Sequence, residues 1–312
     1  MKIPNAFELL KNYFVEQPKA ITGLKTIQIY LYREVLDYTV LRTEEDREIN
    51  TIVTPAMIGL GEVKTRVAFL GSKQKAVESR QLERLLRTSA EDAGYKIEEC
   101  YLKDHLCLEC PRCGLFGGTN ASSSKKTKSN IKHRIAYSTA FSLDSVDDLR
   151  EAITFNGISD QSQTTGQTLG ERVAVKPGTF FPSIVTLTGV TWLEVVLVLK
   201  TLLSSHKYGA ESRIGGDIRN HVVGIAAGWE EVMTPLEFTL EMQAADEMNE
   251  GYVERIIQRY AEGAGNPEKI RVLNSEELSQ VLETARKQPL DREFLTAAFD
   301  HIKQMRKEQE SK

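Results

Sequence analysis

All four cysteines of this 312-residue chain fall between Cys100 and Cys113, in the spacing C-x6-C-x2-C-x2-C. If four sulfurs share one ion, fourteen consecutive residues must wrap around a single point, and the rest of the fold has to accommodate that knot. The segment Cys110-Pro-Arg-Cys113-Gly114 has the form of a zinc-ribbon knuckle, in which two cysteines flank a tight turn. The glycine is expected to let the backbone fold back so that its N–H groups face the sulfurs. Zinc takes four tetrahedral nitrogen or sulfur ligands, and a site with all four filled has no open position for catalysis. The expected ligands of a structural Zn2+ are therefore Cys100, Cys107, Cys110 and Cys113, with His105 the substitute should Cys100 not reach. Reduced thiols, two disulfides, or a catalytic or redox use are the alternatives. Disulfides call for an oxidising compartment, and nothing in the sequence suggests export.

The opening MKIPNAFELLKNYF has no apolar signal core with a small-residue cleavage site. The longest apolar run, Val195–Leu203, contains Lys200 and falls short of spanning length. Both features predict a cytoplasmic protein with no membrane partner. Net charge is −4, unevenly spread: residues 230–312 carry 18 acidic and 11 basic side chains, which leaves the first 229 residues with a small positive excess. An acidic tail can thus mask a nucleic-acid-binding face elsewhere.

Along the chain, Lys25–Arg42 alternates with period two, with Ile27, Ile29 and Leu31 set against Gln28, Tyr30 and Tyr32. This predicts a long strand or a strand pair, bulged near Glu34–Val35, with Tyr30 and Tyr32 packed in the core or between subunits. Gln74–Ala93 changes to helical periodicity, with Gly94 as its stop. The cysteine cluster follows as an insertion. In Gly117–Arg134 the five cations Lys125, Lys126, Lys128, Lys132 and Arg134 have no acidic residue between them. Such a run is either a solvated linker or a mobile arm that grips phosphates. Ile131–Leu143 is expected to be extended.

The segment Ile153–Pro182 has a polar tip between two extended flanks, Ile153–Ile158 and Arg172–Val175. This predicts a long protruding hairpin whose tip packs on nothing in its own chain. After the strand Ser183–Thr188, Thr191 and Glu194 form a capping box that opens a helix, and Asn220–Trp229 closes the core. In order, the elements run strand, helix, strand, strand, helix, strand. That is the βαββαβ sequence of an α+β, ferredoxin-like (RRM-like) antiparallel sheet. Four helical stretches are expected beyond it, near Leu236–Met248, Tyr252–Ala261, Ser275–Lys287 and Asp291–Lys307.

Three features together resemble the RAMP superfamily of CRISPR-associated proteins. They are the cluster ending CPRCGLFG, the segment TGQTLGERVAVKPGTFFPSI, and the late glycine loop SRIGGDIRNHVVGI. The chain is most similar to the crRNA-binding backbone subunit (the Cas-seven family) of type I-D Cascade. This resemblance implies a core over residues 1–230, a zinc-binding insertion with a basic arm at 94–130, a thumb hairpin at 153–182, and a helical region at 231–312. It also implies a non-catalytic scaffold that polymerises with copies of itself along crRNA and holds target nucleic acid beside other Cascade subunits. RTEEDREINT resembles the guide-contacting loop after the first strand, which brings in Arg42, Arg47 and Asn50. The thumb would contribute Thr165, Gly166 and Arg172. In the glycine loop, Gly215 and Gly216 would let the main chain approach phosphate or ribose, with Arg213 and Arg219 adding charge. A plain helix-to-strand turn is the alternative for that loop. Lys125, Lys126, Lys128, Lys132 and Arg134 complete the expected RNA contacts.

No RNP1-type aromatic motif is present, so bases are not expected to stack on the sheet. Related type III subunits cut RNA with an early-loop aspartate, and Asp37 and Asp46 lie in that region without a recognisable match or a positioned acid–base partner. A metal-dependent RAMP ribonuclease is the rival reading.

Overall fold

The computed structural model describes residues 1–42, 48–59, 61–102, 105–120, 130–158, 161–163, 165–211, 215–244 and 250–310. The chain opens with a 3₁₀ segment, Asn5–Tyr13, and enters β1 (Thr26–Val35). A hairpin of β2 (Thr51–Pro55) and β3 (Val63–Phe69) leads into the long helix α1 (Gly71–Asp92). The cysteine loop contains the short helix α2 (Pro111–Phe116) and is followed by β4 (Gly118–Thr119), β5 (Asn130–Ile131), β6 (Ile135–Tyr137) and β7 (Ala140–Ser145). One helical turn, α3 (Val146–Leu149), precedes the hairpin of β8 (Arg150–Ile158) and β9 (Thr165–Val175). The chain returns through β10 (Phe180–Thr188), α4 (Trp192–Ser204) and β11 (Ile218–Gly228). It finishes with α5 (Pro235–Gln243), α6 (Glu250–Glu262), β12 (Arg271–Val272), α7 (Ser275–Lys287) and α8 (Arg292–Glu310).

The central sheet has the order β12-β11-β1-β10-β6, and every neighbouring pair is antiparallel. A second sheet, β2-β3-β7, stands beside it, and β8 with β9 forms a two-stranded sheet of its own. The fold is thus mixed α+β with antiparallel sheets.

β1 is the middle strand, and nine of its ten residues are buried. Ile27, Ile29 and Leu31 face a core shared with α1, α4, α7 and α8. Tyr30 and Tyr32 lie under α5 and α6 on the other face, with Phe238, Val253 and Ile257. Phe238 meets Tyr30 edge-on at 5.4 Å and stacks on Tyr32 at 5.8 Å. The polar Gln28 is tolerated there because its hydrogen-bonding groups are used: Nε2 donates to the Met233 carbonyl (3.0 Å), and Oε1 accepts from the Val232 and Met233 N–H groups. The expected bulge near Glu34–Val35 is instead a register shift between Tyr30 and Leu31 against β11.

Helix α1 ends where Gly94 takes a φ of +59°, a conformation that costs an L residue but not glycine. Thr191 and Glu194 form the capping box of α4, with Glu194 N–H donating to Thr191 Oγ1 (3.4 Å) and Thr191 N–H to Glu194 Oε2 (3.0 Å). No helix among the described residues is long and apolar enough to cross a membrane.

Candidate metal centre and nucleic-acid interface

The four cysteines converge. Their Sγ atoms all lie within 4.8 Å of one another, with Cys100 to Cys113 at 3.5 Å and Cys110 to Cys100 at 3.8 Å. Four sulfurs about 2.3 Å from one ion in a tetrahedron are separated by about 3.8 Å, whereas a disulfide holds its sulfurs at about 2.0 Å. The donor set therefore fits a metal ion, and the four thiols could hold one. It is the sole group of three or more potential metal ligands among the described residues. Cys100 reaches the cluster, while His105 pairs its backbone with Tyr101.

Local backbone geometry explains the convergence. Cys107 Sγ accepts from the Glu109 N–H and Cys110 Sγ from the Cys113 N–H, both at 3.4 Å. Leu108 turns the first knuckle with φ +60°. Crowding splits the thiols: hydrogen bonds from the other three pull Cys100 below its usual range, while those bonds and burial push Cys110 well above it. A cation at the centre would relieve that conflict by favouring thiolate at all four. Beside them Arg112, 3% exposed, donates from Nε to Ser79 Oγ at 2.9 Å and brings a buried positive charge near Cys113.

Gly114 serves a different purpose from the one expected. It lies inside α2, and a Cβ there would come 2.4 Å from Ile302 Cδ1 of α8, so it permits close helix packing. The turn is made by Gly117, with φ +75°, where a Cβ would come 2.8 Å from the His133 backbone nitrogen. Gly114→Ala should destabilise the protein by about 1–3 kcal/mol through overpacking. Adding Ile302→Val should recover part of the loss in a urea titration; an equal loss with and without the second change would refute this account.

The segments expected to contact RNA fall into two groups. Arg42, after β1, and Arg172, on β9, both reach Glu211 Oε1, at 2.5 Å and 2.8 Å. The three segments are also joined through the main chain, by the Thr39–Val175 bridge and the Ala210 N–H to Val40 carbonyl bond. The loop after β1, the base of the hairpin and the loop before β11 therefore meet at one place. Asn50 lies alongside, its N–H bonded to the Leu41 carbonyl at 2.8 Å and its side-chain Nδ2 buried without a hydrogen bond among the described residues. Arg219 is exposed on β11 beside His221 and Arg286.

Three expectations need correction or restriction. Arg134 is 5% exposed and cannot serve as an RNA contact: its guanidinium is engaged by Glu194 and by the carbonyls of Gly114 (3.0 Å) and Gly189 (2.9 Å). Gly216 is buried with φ +64°, and a Cβ would come 2.5 Å from the Gly209 nitrogen, so its freedom serves the turn rather than approach to a phosphate. Gly215 similarly abuts the Lys207 side chain. Arg47, Asp46, Lys125, Lys126, Lys128 and Arg213 lie outside the described residues, and Thr165 and Gly166 are described in backbone only. Lys132 is exposed. Glu211, which gathers the two arginines, was not foreseen, because a lone glutamate in a glycine-rich loop carries no signal of its partners.

A family model of Csc2 CRISPR proteins matches residues 10–311. The crystal structure of Thermofilum pendens Csc2 superposes with a TM-score of 0.67 at 21% identity, covering 99% of this chain and 98% of that one. A chain of a Type IV-B CRISPR complex gives 0.43 at 16% identity, over 62% of this chain and 89% of that one. A CRISPR RNA-guided surveillance complex in a pre-nicking state gives 0.46 at 13% identity, over 76% and 88%. Among curated proteins, none matches. The fold is therefore that of a CRISPR-associated α+β protein, shared along nearly the whole chain with a solved Csc2 structure. The chain belongs to the Csc2 CRISPR family.

Proposed function

We propose that this protein is a crRNA-binding backbone subunit of the Cas-seven kind in a type I-D Cascade, polymerising with copies of itself along the guide and holding the guide–target duplex. Besides family membership, the observation that supports this reading most is the meeting of the post-β1 loop, the hairpin base and the pre-β11 loop at Glu211. Backbone gripping needs cations and free N–H groups clustered on a scaffold and no reading of bases. The strand order β11-β1-β10-β6, with α1 and α4 on one face, is in keeping with a ferredoxin-like core. On this reading the β8–β9 hairpin is the thumb, and Cys100, Cys107, Cys110 and Cys113 hold a structural zinc. Zinc there would supply a fixed tetrahedral tie across the loop.

A scaffold without cleavage chemistry is favoured over a ribonuclease. Asp37 is exposed and its carboxylate accepts from the adjacent Tyr38 N–H at 2.7 Å, with no partner suited to proton transfer among the described residues, and Asp46 lies outside them.

Replacing residues 159–170 by a two-residue Asn-Gly turn should leave the monomer folded and its metal bound. That variant should fail to form long regular assemblies on guide RNA, judged by native mass. Wild-type protein should co-purify with nucleic acid of uniform length. Normal assembly length in the shortened variant would remove the hairpin from the proposal.

A further inference from the structure

Arg112 differs from the other buried arginines in what answers its charge. Arg33 and Arg134 each meet a buried glutamate, Glu78 and Glu194. Arg66 directs its donors at carbonyl oxygens, among them those of Ser142 (2.7 Å) and Leu143 (2.6 Å). Arg112, 3% exposed and placed between Cys110 and Cys113 in sequence, has no carboxylate partner among the described residues. Its side chain makes two hydrogen bonds, from Nε to Ser79 Oγ of α1 at 2.9 Å and from Nη1 to Cys113 Sγ at 3.9 Å. Both acceptors are themselves buried. A cation taken out of water is costly unless negative charge or well-placed acceptors compensate it. A neutral hydroxyl and a neutral thiol, which is a weak acceptor, compensate little. The charge is felt next door, where burial and then Arg112 hold Lys75 below the usual lysine range.

The sulfurs supply the missing negative charge once they hold an ion. Four thiolates around a divalent cation leave two negative charges over, and a buried dianion needs donors as much as Arg112 needs an anion. Two of the sulfurs have backbone donors: Cys107 Sγ accepts from the Glu109 N–H and Cys110 Sγ from the Cys113 N–H. Cys113 Sγ receives no backbone N–H among the described residues, and the Arg112 guanidinium takes that place. Ser79, fixed on the long helix α1, holds Nε so that Nη1 points at the sulfur. Partners just outside the ligands of a metal orient those ligands and tune the binding, and their loss weakens it.

We propose that Arg112 is the counter-charge of the loaded cysteine centre, a positioning residue held by Ser79 whose guanidinium stabilises the Cys113 thiolate and so sets how tightly the site keeps its ion. The inference rests on the reading of the four cysteines as a metal site and adds a fifth residue to it. It gives Arg112 effects of opposite sign with and without the ion. With the ion bound, the arginine faces a buried dianion and stabilises the fold. With the ion removed, it is a buried cation facing thiols and opposes folding or contributes nothing.

The test uses the full chain as wild type, as Arg112→Met, which removes the charge and keeps most of the length, and as Arg112→Lys, which keeps the charge. In competition for Zn2+ against a chromophoric chelator, Arg112→Met should bind about 10–100-fold more weakly than wild type, the range for loss of such an outer partner. Arg112→Lys should recover part of that loss. Loading with Co2+ should give the sulfur-to-metal charge-transfer absorption of a four-thiolate site in all three proteins, which shows the ligands to be intact. In urea titrations the loaded Arg112→Met protein should unfold earlier than loaded wild type, whereas after chelation it should unfold no earlier than wild type. Equal Zn2+ affinity in Arg112→Met and a metal-binding wild type would overturn the counter-charge and leave the metal centre standing. Failure of the wild type to bind metal at all would overturn both. An equal loss of stability in Arg112→Met with and without the ion would assign Arg112 to packing alone and overturn the proposal as well.

Discussion

Glu78→Ala is expected to cost about 3–5 kcal/mol of stability, the range for removing one partner of a buried ion pair. Arg33 of β1 and Glu78 of α1 are both fully buried and 2.7 Å apart. Burial alone would make the guanidinium easier to deprotonate, but Glu78 more than reverses this and holds the group charged. Glu78 Oε1 also accepts from Tyr208 Oη at 2.8 Å and Oε2 from Tyr137 Oη at 2.5 Å, while Arg33 Nη1 donates to Asn220 Oδ1 at 2.9 Å. The guanidinium further lies over the rings of Phe69 and Tyr208. Alanine would strip the counter-charge from an arginine that cannot reach water. A paired Arg33→Met/Glu78→Leu replacement, which removes both charges, should recover much of the loss. Chemical denaturation of the three proteins measures this, and a single-variant cost under about 1 kcal/mol would show the pair to be solvated in practice.

Cys113→Ser is expected to abolish stoichiometric metal binding. Metal analysis should fall from about one ion per chain, the content of one four-ligand site, to none. In isolated zinc-finger peptides such binding contributes on the order of 10 kcal/mol to folding. Here α2 is also packed on α1 and α8, so the loss should appear first as rapid proteolysis within residues 100–117 and a lower melting temperature, with the central sheet intact. The same outcome should follow chelation of the wild type. Full metal content in both Cys113→Ser and Cys110→Ser would disprove the site.

The convergence of the four cysteines was legible because they are close in sequence, and spacing alone constrains where the sulfurs can go. The hairpin and the capping box of α4 were legible for the same reason. Contacts spanning long separations were not. Arg134 reads as the end of a basic run, and only the fold reveals Glu194, sixty residues on, as its partner. For Tyr30 and Tyr32 the sequence left packing in the core or between subunits, and the partner that buries them, Phe238, comes two hundred residues later. Arg112 could have been flagged, since an arginine between two clustered cysteines has little room to reach solvent.

The packing of α8 on α2 sets a timetable for the chain as it leaves the ribosome. Ile302 fills the space above Gly114, and Arg306 bonds to the Asn130 carbonyl at 3.0 Å. The cysteine loop is made nearly two hundred residues earlier, but it must wait for α8 to be covered. The sheet face bearing Tyr30 and Tyr32 likewise waits for α5. A ribosome stalled near residue 290 would therefore present the cysteine loop without its cover, a natural client for chaperones, and α8 acts as the latch.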